Sequence, residues 1–217
     1  MKDKHKYSRR THSYLALRST VGWIGILLPF VLMLGVFLLF NEDVIHEDVI
    51  QKSISHYYHS GMGDVFVGAL CAVAFFMFFY SGYDKWDDWA GNLVGLFAIG
   101  VALFPTTKVG PSNWIGIIHY VSAALFLTTL TGFSLFLFTQ KDSKPTSQKL
   151  IRNNIYIVCG LIMTACLIAI LIFFIFFDDG SSESSFVFWA ETVALVTFGV
   201  SWFTKGGNFY PDKINSH

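Results

Sequence analysis

Five side chains suited to metal binding or proton transfer are predicted to gather at one end of this molecule: His56, His59, Asp64, His119 and Glu191. His nitrogens and carboxylate oxygens are typical Zn²⁺ ligands, and three protein ligands leave a coordination position for an activated water. In such a site His59, Asp64 and His119 would bind the metal, and Glu191 would be the general base. The same groups would also suit proton or ion handling, with Glu191 as the titrating group. A third interpretation is a buried Glu191–His119 hydrogen bond that only fixes helix packing.

A second polar group lies on the opposite side of the predicted membrane. Asp84, Asp87 and Asp88 share one short loop with Lys85, and Asn92 follows four residues after Asp88. Carboxylates at a helix N-terminus are stabilised by the helix dipole. The pattern therefore predicts a solvated loop and helix cap, and a cation site is the alternative.

These residues must be positioned by helices that cross a lipid bilayer. Spanning a hydrocarbon core of about 30 Å takes roughly 20 apolar residues in a helix. The predicted spans are Ser19–Phe40, Met62–Gly82, Trp89–Pro105, Trp114–Gln140, Ile155–Phe177 and Phe186–Phe203. The fold class is thus an all-α bundle of six transmembrane helices (19–205), with a basic N-terminal segment (1–18) and a short tail (206–217).

The similar depth of the first five side chains in the membrane predicts that they lie close together. His119 and Glu191 each lie about six residues into a span that starts from the same side, which puts both roughly 9 Å below the surface. Asp64 starts the second span at that side, after a long loop (41–61) in which we predict a short surface helix. Gly91, Gly95 and Gly100 predict that span three packs at the centre of the bundle.

The charge distribution predicts orientation. Basic residues precede span one, lie between spans four and five, and follow span six: Lys2, Lys4, Lys6, Arg9, Arg10, Arg18, Lys141, Lys144, Lys149, Arg152, Lys205 and Lys213. The opposite loops carry mainly acidic residues: Glu42, Asp43, Glu47, Asp48, Asp178, Asp179 and Glu183. Because basic loops stay inside, both termini are predicted to be cytoplasmic. Tryptophans near the span ends, including Trp89, Trp189 and Trp202, fit an interfacial aromatic belt.

Composition excludes several function classes. The chain is 53% hydrophobic and 14% charged, against about 25% charged in soluble domains. A formal net charge of zero gives no basic surplus for nucleic-acid binding. Phosphate-binding loops, nucleophile elbows and H-E-x-x-H are missing from the sequence. The predicted partners are the lipid bilayer, a lipid substrate, and a second copy or a larger membrane complex.

Four sequence blocks carry a resemblance: GDVFVG from Gly63, AGNLVGLFAIG from Ala90, IHY from Ile118, and FGVSW from Phe198 with Lys205-Gly206. They resemble uncharacterised bacterial six-span membrane proteins that carry a domain of unknown function. The resemblance covers about 53–206 and implies an inner-membrane protein. It implies no activity.

A fainter resemblance is to the membrane hydrolases that include alkaline ceramidases and adiponectin-type receptors. Those pair a Ser and a His four residues apart, as Ser55 and His59 are here, and use a transmembrane Asp, for which Asp64 is the nearest candidate. The H-x-x-x-H and the seventh span of that family have no counterpart. The leading functional prediction is an integral membrane protein with a polar His/Asp/Glu pocket at its external face; if this protein is an enzyme, it would be a metal-dependent hydrolase of a lipid or lipid-linked substrate. A proton- or ion-coupled transport protein and an accessory subunit are the alternatives.

Overall fold

The computed structural model describes residues 2–40, 48–82, 85–107, 113–140, 146–177 and 184–207, without the side chains of 2–18 and 40. The described helices are α1 (Lys2–Gly35), α2 (Gly63–Phe78), α3 (Lys85–Leu103), α4 (Trp114–Gly132), α5 (Ser147–Phe176) and α6 (Phe186–Lys205). Two π-helical segments, Val36–Phe40 and Phe133–Leu137, continue α1 and α4, and a short 3₁₀ helix covers Ile54–His59. Asp84, the end of the predicted tail (208–217) and several loop charges lie outside the described residues.

Four of these helices are long and apolar enough to cross a membrane: Ser19–Leu39, Trp114–Leu137, Ser147–Phe176 and Phe186–Lys205. The chain is therefore a helical, multi-pass membrane protein in contact with lipid. α2 is apolar but has only 16 residues, and α3 begins with a polar turn that contains Asp87 and Asp88. Six spans are thus not established by helix length and composition alone.

Helix boundaries differ from the predicted spans because apolar runs do not mark where a helix starts. α1 extends back through the basic segment to Lys2, and α5 begins at Ser147, where Thr146 accepts a hydrogen bond from the Lys149 amide. Of the surface helix predicted within 41–61, the described part is the 3₁₀ helix Ile54–His59.

The helices pack as a ring in chain order, and the ring divides into two groups. In one group α3 packs closely against α2 and α4, and in the other α6 packs closely against α5 and α1. The groups meet more sparsely, where α1 passes α2 and where α4 passes α5. The predicted central position of α3 therefore holds only within its own group, and α6 takes the equivalent position in the other.

Small residues set the closest helix crossings. A Cβ atom on Gly199 would lie 2.5 Å from Cγ1 of Ile26 and 2.8 Å from the Gly22 carbonyl oxygen, so α6 and α1 are in backbone contact there. A Cβ on Gly91 would lie 3.0 Å from the Met77 carbonyl oxygen, which brings α3 equally close to α2. Both middle helices thus use glycine to approach a neighbour.

The two ends of the ring have different chemistry. At the end where α2, α4 and α6 begin lie His56, His59, His119 and Glu191; we call this the histidine end. At the opposite end, where α3 and α5 begin, lie Lys149, Lys205 and a group of buried aromatic rings; we call this the lysine end. There Trp202 is 1% exposed, and its ring centre lies 5.3–5.8 Å from those of four aromatic side chains: Tyr80, Phe133, Phe138 and Phe198.

Candidate functional site

Glu191 joins the two helix groups at the histidine end. It lies in the second turn of α6, and its Oε2 accepts a hydrogen bond of 2.7 Å from the backbone N–H of Ile54. Ile54 is the first residue of the 3₁₀ helix, whose first amides have no partner within the helix. The Phe188 amide adds a second link one turn earlier, with a hydrogen bond of 3.0 Å to the Lys52 carbonyl. The 3₁₀ helix leads into α2, so these bonds connect α6 to the other group.

His59 attaches the other end of the 3₁₀ helix. Its Nε2 lies 2.7 Å from the carbonyl oxygen of Thr106, in the segment that follows α3. The Thr106 hydroxyl in turn donates to the Tyr120 hydroxyl over 3.0 Å. The 3₁₀ helix is thus held on one side by a carboxylate and on the other by an imidazole.

His119 bonds to the same segment after α3. Its side chain is 1% exposed, and its Nδ1 lies 2.6 Å from the Phe104 carbonyl oxygen. The predicted Glu191–His119 hydrogen bond does not form, because each side chain has a backbone partner instead.

Tyr57 anchors the centre of the 3₁₀ helix. Its side chain is fully buried, its ring packs against Phe188 at 5.9 Å, and its hydroxyl donates to the Val49 carbonyl over 2.6 Å. Burial raises the pKa of this hydroxyl to about 12. His56 bonds within the same segment, its Nδ1 lying 2.7 Å from the Ser53 hydroxyl.

The metal-binding arrangement predicted from the sequence is not assembled in the described part of the chain. Asp64 is an exposed residue in the first turn of α2, away from the buried His119. No group of three or more His, Cys, Asp or Glu side chains within the described ranges could hold a metal ion. His59, His119 and Glu191 therefore share an end of the molecule but bond to backbone groups rather than converging on one point.

The acidic group at the lysine end supports helix α3. Asp88 accepts a hydrogen bond of 3.0 Å from the Gly82 amide, which fixes the chain before the helix. Asp87 is 1% exposed and packs against Gly82, whereas Asn92 is exposed on the helix surface. Asp87 is therefore buried rather than solvated as predicted, and the helix cap remains a prediction.

Sequence reasoning missed several buried polar groups. Ser134 in the π-helical part of α4 and Ser201 in α6 are fully buried and hydrogen-bonded to each other. Thr192 Oγ1, next to Glu191, is buried with no partner among the described residues. Trp202, predicted to lie in the interfacial belt, is a core residue, whereas Trp89 is 66% exposed. Polar residues inside apolar runs were the available signal for Ser134, Ser201 and Thr192.

Comparison of the chain with protein-family models, with curated proteins and with solved structures gives no significant match. The family resemblances drawn from the sequence remain predictions. The function must therefore be argued from the histidine end itself.

Proposed function

We propose that this chain is a six-span proton-coupled membrane transport protein in which Glu191 is the proton-binding group. The observation that carries the proposal is the Glu191–Ile54 hydrogen bond, which links the two helix groups at the histidine end. A hydrogen bond to an ionised carboxylate is roughly twice as strong as one between neutral groups. Protonation of Glu191 would weaken the link, so proton binding and opening of the histidine end would be coupled.

The path of α2 supports six spans. Its first residue packs against the 3₁₀ helix, which bonds to Glu191 near the start of α6. The chain just after α2 reaches Tyr80, whose ring contacts Trp202 near the end of α6. α2 and the residues that follow it therefore extend over most of the length of α6, which is long enough to cross the bilayer. The chain must return over the same distance along α3 before α4 begins. With the basic loops inside, both termini would be cytoplasmic and the histidine end external, in a bacterial inner membrane.

The unequal packing of the two ends supports movement of one helix group against the other. At the lysine end the groups are joined by the Trp202 aromatic contacts, by the Ser134–Ser201 hydrogen bond and by α5 packed on the π-helical segment. At the histidine end they are joined by the 3₁₀ helix, by the Tyr120–Phe174 ring contact and by Met62 packed against Gly35 of α1. In alternating access by relative motion of two helix groups each end opens in turn. In the proposed cycle, proton binding at Glu191 controls the opening of the histidine end, and the lysine end opens in the other half of the cycle.

The metal-dependent hydrolase is less well supported. It needs three ligands around one point and a base aimed at the bound water. The described residues provide neither, because His59 and His119 bond to the backbone carbonyls of Thr106 and Phe104. Proton coupling, by contrast, requires only that one ionisable group contact both moving parts.

The test measures opening of residues 52–59 by hydrogen exchange in proteoliposomes at about pH 5 and pH 8, an interval that also covers the ionisation of histidine. After correction for intrinsic rates, the wild type should exchange faster at the lower pH. In the Glu191→Gln variant, residues 52–59 should exchange at the same corrected rate at both pH values. Asp64→Asn is the matched control, since it removes an exposed carboxylate at the same end and should behave as the wild type.

Pyranine-loaded proteoliposomes test the transport step. A potassium diffusion potential should drive proton entry in the wild type and in Asp64→Asn, and Glu191→Gln should abolish it. Opening that is independent of pH in the wild type would overturn proton coupling. Opening that depends on pH but persists in Glu191→Gln would assign the proton to another group.

A further inference from the structure

The lysine end carries a feature that the proposed transport cycle does not use. Phe138, at the end of α4, is completely buried, and two ammonium groups approach it from different helices. Lys149 Nζ, from the first turn of α5, donates to the Phe138 carbonyl over 3.0 Å. Lys205 Nζ, from the last turn of α6, lies 5.1 Å from the centre of the Phe138 ring. Two positive charges are therefore held around one apolar residue.

Two buried polar atoms in the same neighbourhood have unmet hydrogen-bonding capacity. Trp202 Nε1 carries a proton but has no acceptor among the described residues, and its ring lies 5.3 Å from that of Phe138. Asn153 is 2% exposed and donates to the Thr139 carbonyl, next to Phe138, while its Oδ1 has no donor within the described part of the chain. Buried polar groups without partners are rare, and a bound water or ion is one common explanation. Of these two atoms only the Trp202 N–H can donate to an anionic ligand, because Asn153 Oδ1 is itself an acceptor.

The surface beside this group is apolar. α5 is the least buried of the candidate spans, and along its length it exposes large side chains such as Leu150, Ile157 and Leu161. A ligand that is anionic at one end and apolar along the rest would match both the lysines and the α5 surface. Basic pockets between transmembrane helices bind anionic lipid headgroups for this reason.

We propose that Lys149 of α5 and Lys205 of α6, which both contact Phe138, bind the phosphate of an anionic phospholipid whose acyl chains lie along α5. The two ammonium groups would face the phosphate oxygens, and Tyr156 would support Lys149, whose Nζ lies 5.8 Å from its ring centre. The Trp202 N–H would supply a further donor. Such a lipid would connect α4, α5 and α6 at the lysine end.

The first experiment measures lipid retention by native mass spectrometry after purification in a neutral detergent. Wild-type protein should retain phosphatidylglycerol in preference to phosphatidylcholine. The double variant Lys149→Gln, Lys205→Gln should bind phosphatidylglycerol about 30-fold more weakly, because each lysine near an anionic headgroup contributes on the order of 1 kcal/mol. The control Lys52→Gln removes a lysine at the histidine end, opposite Phe138, and should retain the lipid as the wild type does.

A second measurement distinguishes the loss of lipid binding from poor folding of a variant. Trp202→Phe keeps an aromatic ring and removes only the N–H donor, so it should reduce the preference for phosphatidylglycerol while leaving the size-exclusion profile unchanged. Thermal shifts with phosphatidylglycerol and with inorganic phosphate separate the two phosphate sources. Equal retention of both lipids, equal losses in the double variant and its control, or stabilisation by inorganic phosphate alone would each overturn the lipid site.

Discussion

The histidine end and the lysine end of this ring are built from opposite kinds of contact. At the histidine end a carboxylate and two imidazoles bond to backbone groups over 2.6–2.7 Å. At the lysine end Trp202 sits among four aromatic rings, and the buried Ser134 and Ser201 bond to each other. The histidine end thus combines bonds from ionisable groups with apolar contacts such as Tyr57 on Phe188, whereas aromatic packing around Trp202 dominates the lysine end.

This difference indicates which end of the molecule can respond to a change in pH. The strength of a hydrogen bond to a carboxylate depends on its protonation, whereas aromatic packing does not depend on pH. Under the proposed function the histidine end is therefore the proton-sensitive end, whereas the aromatic packing at the lysine end is independent of pH.

The largest effect should come from the lysine end. Trp202→Ala removes the central ring of the aromatic group and should cost about 3–5 kcal/mol of stability, as for other buried large-to-small substitutions. Thermal unfolding in detergent is the measurement. Trp89→Ala, at an exposed position on α3, is the control and should melt close to the wild type. Similar melting of both variants would show that the aromatic group does not hold this end together.

A slightly smaller effect is expected where α1 crosses α6. Gly199→Val would push a side chain into Ile26 and the Gly22 backbone and should cost about 1–3 kcal/mol, in the range of overpacked cores. Gly68→Val is the control, because a Cβ at Gly68 meets nothing within 4 Å. If Gly199→Val melts no lower than Gly68→Val, the two helices do not cross this closely.

A local effect is expected at the histidine end. His59→Leu removes the bond to the Thr106 carbonyl, and a net hydrogen bond of about 1 kcal/mol corresponds to roughly fivefold faster hydrogen exchange across 52–59. His56→Leu removes only a contact within the segment and should change that rate less. A lower melting temperature in His59→Leu without faster local exchange would contradict the division between the two ends.

The last effect is confined to high pH and is absent under the conditions of the other measurements. Burial raises the pKa of Tyr57 from 10.0 to about 12. The unfolded chain therefore loses this proton at a lower pH than the folded chain, and the stability from Tyr57 is complete below pH 10 and falls as the pH rises toward about 12. Melting curves across this window should show the fall in the wild type, and Tyr57→Phe should reduce it. An identical fall in the variant would assign the dependence to other groups.

Much of the helical architecture could be predicted, and the reasons are local. Long apolar runs identify membrane helices because backbone groups in lipid must bond within the helix, and Ser19–Leu39, Trp114–Leu137 and Phe186–Lys205 agree closely with the predicted spans. Membrane spans at α2 and α3 are harder to assign from the sequence, because α2 is short and α3 starts with Asp87 and Asp88. The candidate site was predicted only as a neighbourhood, because helix depth follows from residue count but helix rotation does not.

The sequence by itself determined that this chain is a helical membrane protein and that His59, His119 and Glu191 share one end. Apolar run length and the cost of unsatisfied backbone groups in lipid are enough for that. Only the tertiary structure decided that Glu191 bonds to the Ile54 amide, that His119 bonds to Phe104, and that Trp202 is core. Those outcomes depend on which faces of separate helices meet, and long-range packing sets this choice where residue spacing leaves it open.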